Sequence, residues 1–169
     1  MLVFRKSVNG LKLEGHSDSD WAFDKETRRS TTGFGFNLNE NSAVVSWKSR
    51  KQQTVALSSC EAEYMALTNT TQEALFLMML MEDFRITVSK PVMLFGDNQG
   101  SLDMLKNTSS NDRSKHIDIK YHFIREKYNE GLINVRYIPT GDNVADIFTK
   151  PVTKAKLVQF QNTLFGKQC

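Results

Sequence analysis

The chain has 169 residues, 40% of them hydrophobic, with 22 lysines and arginines against 19 acids for a net charge of +3. That is enough for one domain with a substantial core, and no apolar run approaches the length of a membrane span. Residues 1–10 lack the basic-then-apolar order and small-residue cleavage site of a signal peptide. Two cysteines, Cys60 and Cys169, give no disulfide framework and suit a reducing compartment. The mild positive charge permits a polyanionic partner without demanding one.

Residues 2–6 and 11–16 read as short strands around a turn at 7–10. In the second run Leu11 and Leu13 alternate with Lys12 and Glu14, and Asp18 and Asp20 follow at its end. A basic connection containing Arg28 and Arg29 leads to a run where Phe34, Phe36 and Leu38 alternate with Gly33, Gly35 and Asn37. After a polar turn at 39–42, Ala43, Val45 and Trp47 alternate with Val44, Ser46 and Lys48. The pattern predicts an antiparallel hairpin and, with the strand before it, a three-stranded meander. A basic, amide-rich loop at 49–53 includes Lys51.

Residues 58–84 hold no Pro or Gly and open on two serines, which suit a helix cap. On helical spacing Glu63, Ala66, Leu67, Thr70, Ala74, Leu77, Met78 and Met81 form one row, apolar or small except for its first member. Glu61 leads a wetter row of Tyr64, Met65, Thr68 and Gln72. A buried face that begins with a carboxylate needs a cation, a metal or a hydrogen-bond network to compensate it. The plainer alternative is a helix-start acid that favours the macrodipole and points into water.

Residues 91–96 carry the uninterrupted apolar run VMLF, the pattern of a central parallel strand covered on both faces. Asp97 and Asn98 close it and can cap a short helix through Leu102 and Leu105. A polar loop at 107–114 precedes a helix at 116–130, with Ile117, Tyr121, Ile124 and Tyr128 on one face and Gly131 as its stop. Residues 132–138 form a strand with Ile133, Val135 and Tyr137 on one side. A turn at 139–142 brings Asn143, a cap for a helix carrying Ala145, Asp146, Ile147 and Phe148, which Pro151 interrupts. A last helix at 154–165 points Leu157, Phe160 and Leu164 inward. The order β-β-β-α-β-α-α-β-α predicts an α/β fold: a five-stranded mixed sheet, antiparallel meander plus two parallel strands, with helices on both faces.

Asp18, Asp97 and Asp146 fall where elements begin or end, and ligands of such sheets collect at the carboxyl ends of strands. If the first and fourth strands are parallel neighbours, Asp18 and Asp97 lie side by side there, and the long helix brings Glu63 over them. Taken singly, each Asp has the plain reading of a cap or turn residue: Asp97 suits capping its own helix equally well, and Asp146 reads better as a solvated first-turn acid. Four ionised carboxylates together repel unless they hold a cation. Oxygen-only ligands select Mg²⁺ or Mn²⁺, and a pair of such ions is the recurring device of phosphodiester nucleases.

The stretches GHSDSDWAFDKETRRSTTGF, VSWKSRKQQTVALSSCEAEYMAL, LFGDNQGSLDMLKN, DRSKHIDIKYHFIREK and RYIPTGDNVADIFTKP closely resemble the RNase H domain of copia-type LTR retrotransposon Pol polyproteins. The resemblance runs from about Leu2 to Pro151, implying an RNase H-like domain at 1–151 and a C-terminal helical extension at 152–169. It implies hydrolysis of RNA paired to DNA by four acids, matching Asp18, Glu63, Asp97 and Asp146, that hold two Mg²⁺ or Mn²⁺ ions. Asp20, on the same strand parity as Asp18, stays open as the first acid. The implied setting is a reverse-transcriptase polyprotein with the polymerase domain on the N-terminal side. That polyprotein would work inside the cell, in cytoplasmic virus-like particles with room for a nuclear phase, and without a membrane partner.

One departure concerns a loop His found before the last acid in many RNases H. Residues 139–144 contain none, and the three histidines are His16, His116 and His122. His116 and His122 are six apart on a helix, a spacing that favours packing over shared metal binding. Arg28, Arg29, Lys48, Lys51, Arg113 and Lys115 are candidate phosphate contacts, and Asn98 is a candidate for the 2′-hydroxyl. Two other readings stand beside the nuclease: an inactive structural or hybrid-binding module, and an integrase-like strand transferase acting on DNA ends.

Overall fold

The computed structural model of the chain describes residues 1–4, 11–39, 42–106 and 115–167, and the side chains of these except 106 and 115–118. Its strands are β1 (Leu13–Asp20), β2 (Thr31–Leu38), β3 (Val44–Lys51), β4 (Val92–Gly96) and β5 (Ile133–Tyr137), in the sheet order β3-β2-β1-β4-β5. β1 pairs antiparallel with β2 from Leu13 opposite Leu38 to Asp20 opposite Thr31, and β2 pairs antiparallel with β3. β1 and β4, and β4 and β5, run parallel. The meander and the two parallel strands thus make the expected mixed sheet. Since β1, β4 and β5 point the same way, their carboxyl ends share one edge of it.

The alternation in β1 and β2 sorts the two faces. Leu13 of β1 and Phe34 and Phe36 of β2 enter the core with Tyr64, Leu67, Leu94 and Ile124. Helix α1 (Ser59–Asp83) covers this face; its Thr70 hydroxyl lies 3.0 Å from that of Ser17 on β1. Helices α2 (Gln99–Lys106) and α3 (Lys115–Asn129) pack on α1. Gly131 ends α3 at φ +69°, where its amide donates to the Tyr128 carbonyl; glycine alone adopts this conformation without strain.

On the opposite face Gly33 and Gly35 leave bare backbone. A Cβ at Gly33 would come within 2.6 Å of Thr149 Cγ2 and 2.9 Å of Phe148 Cβ, and one at Gly35 within 2.8 Å of the Phe148 ring. The 3₁₀ turn Val144–Phe148 lies on this bared strip, with Phe148 stacked on Trp47 of β3. A shorter 3₁₀ turn, Thr140–Asp142, precedes it, and helix α4 (Lys154–Phe165) follows.

Several local expectations are corrected. β1 runs on through Asp20 instead of stopping at 16, because β2 pairs with it all the way to Thr31. Residues 2–4 join no named strand; the Val3 amide donates to Phe165 O and its carbonyl accepts from Ala43, both at 2.8 Å. In α1 the supposedly wetter row is buried at Glu61, Tyr64, Met65 and Thr68, and only Gln72 is exposed. Sheet, α2 and α3 surround the first turns of this helix, so a one-sided pattern cannot mark its interior.

β4 buries Val92 and Leu94 fully but Met93 and Phe95 only in part. Tyr137 is exposed at the end of β5. Residues 144–148 form a 3₁₀ turn in place of an α-helix, with the Thr149 amide donating to Asp146 O three residues back. Pro151 leaves no room for a longer helix. In α4 only Phe160 is buried, while Leu157 is exposed and Leu164 half-buried.

Candidate metal centre

Asp18 sits near the carboxyl end of β1, and Asp97 directly follows β4. Parallel pairing of the two strands sets these acids side by side. Glu63 reaches them from the first turns of α1, and the Ser19 amide donates to its Oε1 at 3.2 Å. One carboxylate oxygen from each of Asp18, Glu63 and Asp97 lies within 4.8 Å of the others. Glu61 stands apart. Its amide donates to the Ser58 hydroxyl, and its Oε2 accepts from the Leu57 amide at 2.8 Å, so it closes the cap of α1.

Burial, then the charges of Asp18 and Asp97, push the Glu63 carboxyl up to about 9. Burial is also the main cause that raises Asp18 to about 6, with Asp97 and Asp146 adding to it and the Thr149 hydroxyl opposing it. These are the signs of carboxylates crowded together out of water.

Asp146 arrives on the far-face turn. Asn143, fully buried, fixes that turn: its side-chain amide donates to Ser17 O at 2.9 Å, and its Oδ1 accepts from the Ala145 amide. Asp146 follows three residues later, and the Thr149 hydroxyl donates to Asp18 Oδ2. Asp146 is close enough to raise Asp18 electrostatically yet lies outside the group of three. Its two oxygens pair instead with Lys150 and Lys156.

The molecule as a whole has the fold of solved RNases H. It matches the N-terminal RNase H domain of a Mycobacterium tuberculosis protein with TM-score 0.63 at 13% identity, over 88% of this chain and 98% of that one. It matches LC11-RNase H1, from compost and solved in complex with an RNA/DNA hybrid, with TM-score 0.59 at 16% identity, over 82% and 94%. No family model matches the chain. Among curated proteins it is 36% identical over 162 residues to the Retrovirus-related Pol polyprotein from transposon RE1 of Arabidopsis thaliana, covering 96% of this chain. It is 38% identical over 144 residues to the corresponding polyprotein from transposon TNT 1-94 of Nicotiana tabacum, covering 85%. The chain belongs to the copia-type Pol polyproteins. It spans about 11% of the length of these relatives.

In this copia-type chain the donor set fits a hard divalent cation. All three clustered groups offer oxygen, and a cation there would relieve the crowding that raises Asp18 and Glu63. Asp20 is engaged elsewhere, its Oδ1 accepting from the Thr31 amide across the β1–β2 pair. Asn98 spends its Oδ1 on the Ser101 amide, capping α2, so the cap expected from the pair Asp97–Asn98 falls to Asn98.

The candidate phosphate contacts are scattered. Arg28 and Arg29 are exposed in the loop entering β2, and Lys51 ends β3 paired with Asp24. Lys48 lies over the Phe34 ring at 5.9 Å. Arg113 lies outside the described residues, as does the Lys115 side chain. His16 stacks on Phe95 at 5.0 Å, and burial lowers it to about 4. His122 is exposed with its ring against Tyr121, and the His116 side chain is not described. Sequence reasoning missed Thr149, Lys150 and Lys156. Thr149 and Lys150 had one usable signal, their places three and four residues after Asp146 on a turn.

Proposed function

We propose that the domain is a metal-dependent endoribonuclease that hydrolyses the RNA strand of RNA–DNA hybrids as part of a reverse-transcription polyprotein. The observation that carries this reading is the convergence of Asp18, Glu63 and Asp97 within 4.8 Å at the carboxyl edge of an RNase H sheet. Relatives named as Pol polyproteins and a structural neighbour solved with an RNA/DNA hybrid support it. The polymerase domain would precede this one, and the polyprotein would act inside the cell, in cytoplasmic virus-like particles with a nuclear phase.

Asp18, Glu63 and Asp97 would hold one Mg²⁺ or Mn²⁺ ion, and Asp146 with Asp18 a second. Two such ions supply an activated water and charge neutralisation at the leaving 3′ oxygen. The chain's own part is positional. Ser19 N–H orients Glu63, Thr149 orients Asp18, and Asn143 ties the Asp146 turn to β1. Arg28, Arg29 and Lys51 stand at the same end of the sheet, where they can meet phosphates.

A labelled RNA–DNA hybrid incubated with Mg²⁺ tests the reading. Asp97→Asn is expected to abolish cleavage while circular dichroism stays that of the parent. Cleavage at the parental rate would overturn the assignment. An intact protein that neither cuts nor binds Mg²⁺ at millimolar concentration would leave the inactive hybrid-binding module.

A further inference from the structure

Asp146 is 1% exposed, and each of its oxygens faces an ammonium group: Oδ1 meets Lys150 and Oδ2 meets Lys156. The two lysines come from different places. Lys150 is four residues along the same segment, with a side chain 41% exposed. Lys156 reaches over from α4, its side chain 23% exposed, its ammonium 5.8 Å from the Phe160 ring centroid and 3.4 Å from Thr140 O. Gln159, one turn further along α4, donates to Gly141 O at 3.1 Å, so α4 is latched to the turn before Asp146. The field of Lys150 extends to Asp18, Asp20 and Asp97.

Such an arrangement settles a buried carboxylate without a metal, since an unpaired one is expensive. Asp146 so paired lies outside the group formed by the other three acids. A cation approaching Asp146 meets two positive groups already in its place.

We infer that Lys150 and Lys156 are internal counter-ions of Asp146 that a divalent cation has to displace, which makes the Asp146 side the weaker-binding half of the site. Nothing covalent changes in the exchange: two ammonium–carboxylate contacts open and metal–oxygen contacts replace them. The inference rests on the nuclease reading for the use of the site, but concerns ion binding alone.

Calorimetric titration of Mn²⁺ into the whole chain provides the test. Two binding steps are expected. Lys150→Gln and Lys156→Gln should each tighten the weaker step about tenfold, equivalent to about 1.4 kcal/mol, and leave the tighter step within about twofold. Lys154→Gln is the control. It removes the same charge from α4 at an exposed position with no contact to Asp146. A weaker step that is unchanged in both variants, or tightened equally by Lys154→Gln, would overturn the inference, as would a single step in every protein.

Thermal melts give a second readout. In EDTA the double variant Lys150→Gln/Lys156→Gln should melt below Lys154→Gln, and Mn²⁺ should raise its midpoint more than it raises the parent's. Equal Mn²⁺-induced shifts would count against the exchange. Hybrid cleavage measured in parallel separates the two readings. Cleavage with an unaltered weaker step sinks the counter-ions alone, whereas absence of cleavage and of Mn²⁺ binding in the parent sinks the nuclease.

Discussion

Glu63 and Asp18 make the metal-free protein sensitive to alkali. A carboxyl whose folded pKa is raised above its unfolded value stabilises the fold fully below the unfolded value and loses that contribution as pH climbs through the folded one. For Asp18 the window runs from its ordinary value near 4 to about 6, and for Glu63 from near 4.5 to about 9. In EDTA the melting midpoint should therefore fall between pH 5 and pH 9, with the part above pH 6 due to Glu63. Saturating Mg²⁺ should abolish that fall, and Glu63→Gln should remove most of it. Melts at pH 5, 7 and 9 with and without Mg²⁺ check each point; a midpoint that rises with pH in EDTA would contradict the burial of Glu63. Helical spacing separated Glu63 from Glu61, which lie about 200° apart on α1, but both are buried, and what distinguishes Glu63 is its place beside Asp18 and Asp97. The use of Glu61 was not legible. Its burial comes from a bond to the Leu57 amide, outside the helix itself. Lys156 was also out of reach, since it meets Asp146 only through the docking of α4.

Among the elements, β2 carries most of the site's hidden support. Its alternation of Phe with Gly was plain in the sequence, but the alternation did not say what the glycine face would carry. In the fold they are the floor on which the turn Val144–Phe148 lies, and Gly33 pairs directly with Asp18. Gly→Ala inside a strand ordinarily helps, by about 0.5–1 kcal/mol. At Gly33 the sign should reverse, because the new methyl would meet Thr149, Phe148 and the Ala145 carbonyl. Gly33→Ala is expected to cost about 1–3 kcal/mol in urea unfolding and to depress hybrid cleavage by pulling Thr149 off Asp18. An unchanged urea midpoint would show that the turn can lift without cost. A helix at 144–148 could not be excluded by pattern, because Asn143 caps the 3₁₀ turn as it would cap an α-helix.

For the molecule as a whole, the division into an antiparallel meander and parallel strands was readable because the connections leave few right-handed solutions. The pairing of β1 with β4 stood only as a condition, which the sheet order meets. The status of residues 152–169 was not readable from apolar spacing, since α4 keeps only Phe160 buried. Contacts made by α4 reach β3, the far-face turns and residue 3. Ending the chain at Pro151 tests the proposed division at that point. The sheet should survive by circular dichroism, yet stability should drop by about 3 kcal/mol or more, the scale of one lost buried aromatic. Undiminished stability would make 152–169 a true appendage.

Val3 is hydrogen-bonded to both Ala43 and Phe165. Ala43 stands at the start of β3, the end of the sheet opposite the acids. Residues 3 and 165 thus meet at one corner of the domain, at the end of the sheet opposite the acids. Ends joined in this way let a folded unit be spliced into a larger protein with little disturbance. The acid edge lies at the other end of the sheet, the side from which the proposed function has a duplex approach.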